Sequence, residues 1–116
     1  MLNLTVNGAT LTATLEDNSS ARALRELLAD CPKTIEMSDY GGMEKVGPLG
    51  RSLPTNDEQI TTQAGDLILY QGIQIVLYYA PNTWNFTRLG HAGSTSASEL
   101  RELLGGGDVS VTLSLG

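Results

Sequence analysis

The sequence predicts a mostly β fold: a closed or nearly closed barrel of about eight strands with two short helices at its ends. Three observations carry this expectation. Segments of alternating polarity recur along the chain, which is strand period. Two stretches switch to helical period, and they stand far apart. Runs of strands broken by isolated helices do not make a doubly wound sheet. A sheet closed on itself hides its edges and gives each helix somewhere to bury its apolar side. The chain has 116 residues, the length of one domain. A chain of that size buries about two-thirds of its surface, so one core can hold it without a disulfide or metal staple.

The elements follow in order. Leu2, Leu4 and Val6 alternate with polar residues, Asn7-Gly8 is a strong hairpin signal, and Leu11, Ala13 and Leu15 alternate again. Asp17-Asn18-Ser19-Ser20 offers N-caps for a helix of about three turns. Its apolar face is Ala21, Leu24, Leu27, Leu28 and Cys31, and Pro32 stops it. Cys31 is expected on that face as core filler. Thr34 to Met37 reads as a short strand. Ser38 to Pro54 holds Gly41, Gly42, Gly47, Gly50, Pro48 and Pro54 with little periodicity. It is expected to be a long structured loop with room for one short strand. Ile60-Thr61-Thr62 is a further short strand.

After a turn at Gln63–Asp66, Leu67–Tyr70 and Ile73–Tyr79 form two strands joined at Gln71-Gly72. Both are nearly continuous in apolarity, which predicts a central position with both faces covered. Beyond Pro81-Asn82, Trp84, Phe86 and Arg88 share one side of a strand, and Thr87 and Leu89 take the other. Gly93 to Thr95 is a loop. Ser96 and Glu99 have the spacing of a capping box for a helix carrying Ala97, Leu100, Leu103 and Leu104 inward. Gly105–Gly107 stop it, and Val109, Val111 and Leu113 make a last strand.

Composition excludes several function classes. The formal net charge is −6, and no lysine or arginine cluster exists to meet a phosphate backbone or an anionic lipid surface. Neither nucleic acid nor membrane is an expected partner. One cysteine cannot form an internal disulfide and suits a reducing compartment. Without a basic leader or a long apolar run, the expected location is the cytoplasm. One histidine and one cysteine are too few for a zinc site, and Asp39, Glu44, Asp57 and Glu58 lack EF-hand spacing, so no metal is expected. Gly41-Gly42 and Gly105–Gly107 match no phosphate-binding loop, and no cofactor is expected. Two groups remain as candidates: Tyr40, Glu44, Lys45 and Arg51 on the glycine-rich segment, and the aromatics Tyr70, Tyr78, Tyr79, Trp84 and Phe86.

The element order is similar to that of the cyclophilins. Gly65–Tyr70 followed by Gln74–Tyr79 resembles their paired central strands, and Arg88-Leu89-Gly90-His91 resembles a later strand that ends on glycine. Ser38–Gly47 resembles the small bacterial cyclophilin-like proteins. The resemblance implies a cyclophilin-like barrel over nearly the whole chain. Prolyl isomerases of this fold carry an arginine on the strand after the first helix, in a Phe-His-Arg setting. Here that stretch is Thr34–Asp39, without arginine. Gln74 stands where the family has a strand glutamine.

The first expectation is therefore a binding module without efficient catalysis. Its ligand is a small molecule or an extended, proline-containing peptide, contacted by Tyr40, Glu44, Arg51, Gln74, Trp84 and Arg88. The alternative is a prolyl isomerase with a non-standard site, in which Arg51 or Arg88 supplies the cation that lowers a barrier of roughly 20 kcal/mol. A structural or accessory subunit is the third possibility.

Overall fold

The computed structural model describes residues 1–93 and 96–115. Its elements are β1 (Leu2–Val6), β2 (Ala9–Leu15), α1 (Ser19–Asp30), β3 (Lys33–Tyr40), β4 (Glu44–Pro48), β5 (Glu58–Thr61), β6 (Asp66–Tyr70), β7 (Gln74–Tyr78), β8 (Thr83–His91), α2 (Ala97–Leu104) and β9 (Val109–Leu115). The strands pair in the order β2-β1-β9-β3-β4-β7-β6-β8, all antiparallel. β8 then returns to β2 through Thr14↔His91 and Leu15↔Gly90, so eight strands close a barrel. β5 extends the sheet from the free part of β8.

Closure follows from the period-two pattern. Leu2, Leu4, Ile35, Leu69, Ile75, Leu113 and their neighbours point into one cluster, each essentially without solvent contact. The helices plug this cluster from opposite ends. α1 follows the Leu15 end of β2. Its N-cap Asn18 accepts from the Ala21 amide at 2.8 Å and donates from Nδ2 to the Arg88 carbonyl at 3.0 Å, while Leu24 and Leu28 enter the core. α2 lies by the β1–β2 turn, where Asn7 Nδ2 donates to the Leu103 carbonyl at 2.7 Å. Its Ser96–Glu99 capping box is complete, and Leu100 and Leu104 are buried. Of the loop expected at 93–95, residues 94 and 95 lie outside the described residues.

Two expectations need correction. Cys31 is exposed and does not fill the core. Pro32 disfavours helical geometry in the residue before it, so Cys31 is extended (φ −161°) and leaves the helical face. The segment 38–54 is not chiefly a loop. β3 continues to Tyr40, turns at Gly41-Gly42, both with positive φ, and returns as β4 in the register Ser38↔Val46, Asp39↔Lys45, Tyr40↔Glu44. The irregular part is a strap over residues 49–57. Leu49 and Leu53 pin it to the core. Ser20 donates to the Pro54 carbonyl, the Asn56 side chain donates to Ser19 and Ser20 at 2.8 Å each, and Thr87 Oγ1 donates to Asp57 at 2.6 Å.

Candidate ligand-binding cleft

β6 and β7 are apolar on both faces, and the two faces do different things. Leu67, Leu69, Ile75 and Leu77 face the barrel core. Ile68, Val76 and Tyr78 take the alternate positions and, with Phe86 of β8, form a second apolar cluster on the outer wall of the barrel, flanked by Val46, Ile60 and Tyr70. Strand register assembles a site above it. Glu44 lies opposite both Tyr40 and Tyr78, Val46 opposite Val76, Gln74 opposite Tyr70, and Trp84 opposite Ile60.

The result is a cleft of about 290 Å³, at the small end of ligand sites (~300–1,000 Å³). Tyr70, Tyr78, Phe86 and Val46 form its floor, Glu44, Gln74 and Asn82 supply polar groups, and Tyr40 and Trp84 edge it. The Phe86 ring is 5.6 Å from that of Tyr78 and 6.2 Å from that of Tyr70, both tilted as aromatic pairs prefer. Trp84 and Tyr40 are 61% and 65% exposed, so two large rings stand in water at the mouth of an apolar hollow.

Glu44 is 8% exposed. Burial raises its carboxyl above the ordinary carboxylate value; the Tyr78 hydroxyl acts against this and the charge on Asp39 adds to it. The Tyr78 phenol is pushed up to about 12, mainly by burial, and so stays a neutral hydroxyl; Asn82 Nδ2 donates to it at 3.2 Å. The adjacent cation, Lys45, belongs to the other face of β4. It has no solvent contact, and its Nζ donates to Asp39 at 3.2 Å and to the Gly107 carbonyl at 2.7 Å. The Tyr79 hydroxyl also donates to Asp39, and this bond, more than any other influence, holds the Asp39 carboxyl below its usual value.

Of the six site residues expected from sequence, Tyr40, Glu44, Gln74 and Trp84 meet in this cleft, while Arg51 and Arg88 do not line it. Arg51 is exposed on the strap. Arg88 does share the outer face with Trp84 and Phe86, but further along, opposite Ile68. There it pairs with the buried Asp66 at 3.2 Å and approaches Glu16 at 4.0 Å, its Nε without a partner among the described residues. Asp66 also accepts from His91 Nδ1 at 2.6 Å. A carboxylate only accepts, so the His91 proton facing it sits on Nδ1. Val46 and Asn82 were not legible as lining residues. Tyr70, Tyr78 and Phe86 belonged to the aromatic group that the sequence offered as a candidate pocket lining.

Residues 4–114 match the model of the Cyclophilin-like family. The chain belongs to that family. The cyclophilin-like barrel is similar to a solved chain, the structure of McbB in complex with tryptophan, with a TM-score of 0.65 and 14% sequence identity. The match covers 98% of this chain and 44% of the McbB chain, so this cyclophilin-like chain spans less than half the McbB length. At that identity the likeness is one of fold. No curated protein matches the sequence. Among the described residues no group of three or more His, Cys, Asp or Glu side chains is placed to hold a metal, and no helix is long and apolar enough to cross a membrane.

The Glu44 environment makes a checkable prediction. A carboxyl whose folded value is raised contributes stability that is present below its unfolded value, near 4.5, and lost as pH rises through the folded value. Ionised Glu44 therefore weighs against the fold at neutral pH. Glu44→Gln is expected to raise Tm at pH 7, with the gain shrinking as pH falls toward 4.5. Melting curves of both proteins across that range check it; a variant less stable than the parent at pH 7 contradicts it.

Proposed function

We propose that this cyclophilin-like domain is a binding module that holds a small molecule in the outer-wall cleft, without efficient catalysis. The observation that carries the reading is the gathering of Tyr40, Glu44, Gln74 and Trp84 from four different strands around an aromatic floor that the barrel core does not use. A wet apolar hollow with a few convergent polar groups is the usual form of a ligand site. Its volume suits a compact molecule or one side chain of an extended peptide better than a long ligand. A prolyl isomerase has less support: it needs a cation beside the imide, and among the described residues no Lys, Arg or His lines the cleft.

Trp84 is the single tryptophan and stands at the rim, so its fluorescence reports occupancy directly. A thermal-shift screen of metabolites, tryptophan included, is expected to yield ligands that also change Trp84 emission. At a hundredfold excess over Kd, binding stabilises by about 2.7 kcal/mol. Removing the exposed rim as Tyr40→Ala with Trp84→Ala should abolish the thermal shift while leaving the unliganded Tm within a few degrees. Ligands indifferent to that double variant, or no ligand from a broad library, would overturn the reading. A proline tetrapeptide in a coupled isomerisation assay should turn over at the uncatalysed rate; catalysis lost in the same double variant would favour the isomerase.

A further inference from the structure

We propose that the cleft selects an organic cation, a compact molecule carrying an ammonium group that Glu44 receives and the surrounding rings enclose. This rests on the cleft being the binding site. Its charge pattern supplies the argument. Five aromatic rings line it, from Tyr40, Tyr70, Tyr78, Trp84 and Phe86, and the face of an aromatic ring is electron-rich. Glu44 is the one carboxylic acid among the lining residues, and among the described residues no Lys, Arg or His lines the cleft with it. Carboxylates buried to this degree ordinarily meet a basic side chain. Lys45, the nearest in sequence, is committed to Asp39 and the Gly107 carbonyl on the opposite face of β4. Arg88 is held by Asp66 further along the wall.

The neutral groups do not compensate a full charge. Asn82 spends an amide proton on the Tyr78 hydroxyl. The Tyr78 hydroxyl beside Glu44 is neutral and supplies no counter-charge, and an ammonium among the aromatic rings is the partner that satisfies carboxylate and rings together. A neutral ligand would leave the buried carboxylate unmatched, and an anion would be repelled by it.

Three probes of one shape separate the possibilities: phenethylammonium, the corresponding neutral phenethyl alcohol, and the anion phenylacetate. Each is titrated against the intact protein at pH 7 and followed by Trp84 fluorescence. The cation is expected to bind roughly tenfold or more tighter than either analogue, a charged hydrogen bond exceeding 1.4 kcal/mol. Glu44→Gln should remove that preference by weakening the cation, while the alcohol still binds at least as tightly as before, which shows that the cleft itself persists. Cation affinity should fall as pH drops and Glu44 takes up a proton. Equal binding of all three probes, tighter binding of the anion, or cation binding untouched by E44Q overturns the inference and leaves the binding module standing. Failure of every probe, whatever its charge, counts against both.

Discussion

Replacing Lys45 by alanine is expected to lower the unfolding free energy by about 2–4 kcal/mol, from the donor lost to the Gly107 carbonyl and the void left along the buried stem. Lys45 has no solvent contact, and its ammonium joins Asp39 at the end of β3 to the Gly107 carbonyl between α2 and β9. Alanine leaves that carbonyl and Asp39 short of a donor and opens a void along the lysine stem. Asp39 keeps the Tyr79 hydroxyl and the Gly42 amide, and its side chain is 25% exposed, so the lower half of the range is the better expectation. Urea denaturation should show a lower midpoint with an unchanged slope. Combining Lys45→Met with Asp39→Asn should recover much of the loss, because no uncompensated charge then remains. A Lys45→Ala variant within 1 kcal/mol of the parent would mean that the lysine does not hold the β3–β4 hairpin to the segment between α2 and β9.

The same pair predicts the acid limb of stability. Asp39 is held below its ordinary value of 3.8, first by the Tyr79 hydrogen bond and further by Lys45 and the Gly42 amide. A depressed carboxylate contributes stability above its unfolded value and loses it as pH falls through the folded one. The loss therefore sets in near pH 3.8 and deepens below it, and Lys45→Ala, which leaves Asp39 less depressed, should shrink it. The candidate cleft shares β4 with this network: Lys45 faces the core and its neighbour Glu44 faces the cleft.

How much of this could be read in the sequence divides along a physical line. Period-two alternation shows which residues share a face, and the structure sends Leu67, Leu69, Ile75 and Leu77 inward and Ile68, Val76 and Tyr78 outward. Continuous apolarity in β6 and β7 signalled two covered faces, and the outer one floors the cleft. Local capping chemistry was equally legible at Ser96–Glu99. Glycine and proline misled where their reason was tertiary. Gly47 and Pro48 read as loop residues, yet both lie in β4. A Cβ on Gly47 would stand 2.3 Å from the Glu36 carbonyl oxygen, so glycine is there to let β4 cross closely over β3.

Side-chain partnerships across long separations were not legible at all. Parity placed Arg88 with Trp84 and Phe86, but Asp66, 22 residues away, claims its guanidinium. Nothing in the spacing of Glu44 and Tyr78 reveals that β4 and β7 pair and set them opposite one another. Four of the six expected contacts converge because they come from neighbouring strands of one wall. The two arginines do not join them because each is taken elsewhere, by solvent on the strap or by a buried carboxylate.

Gly65→Ala is expected to cost about 3–4 kcal/mol, although it adds a single methyl group. Two causes act at one position. Gly65 has φ +97°, where an L side chain is strained, and a Cβ there would stand 2.3 Å from the Ala92 carbonyl oxygen. The backbone has little freedom to yield, because the Gly65 amide donates to Tyr78 and its carbonyl accepts from Ala92, both at 2.9 Å. Relieving the clash breaks one or both bonds. Gly8→Ala separates the causes. Gly8 has a similar φ, +81°, but open space around the added carbon, so only the strain should register, about 1 kcal/mol. The difference between the variants, read by thermal and urea unfolding, measures the close approach. Equal losses would show that contact with Ala92 contributes nothing. The site should respond as well, since Gly65 bonds the backbone of Tyr78 and precedes Asp66, the anchor of Arg88 and His91. A shift there moves the end of β7 that carries the Tyr78 hydroxyl beside Glu44. Gly65→Ala should therefore weaken ligand binding at Trp84 even where the protein remains folded, whereas Gly8→Ala, at the turn between β1 and β2, should leave it unchanged.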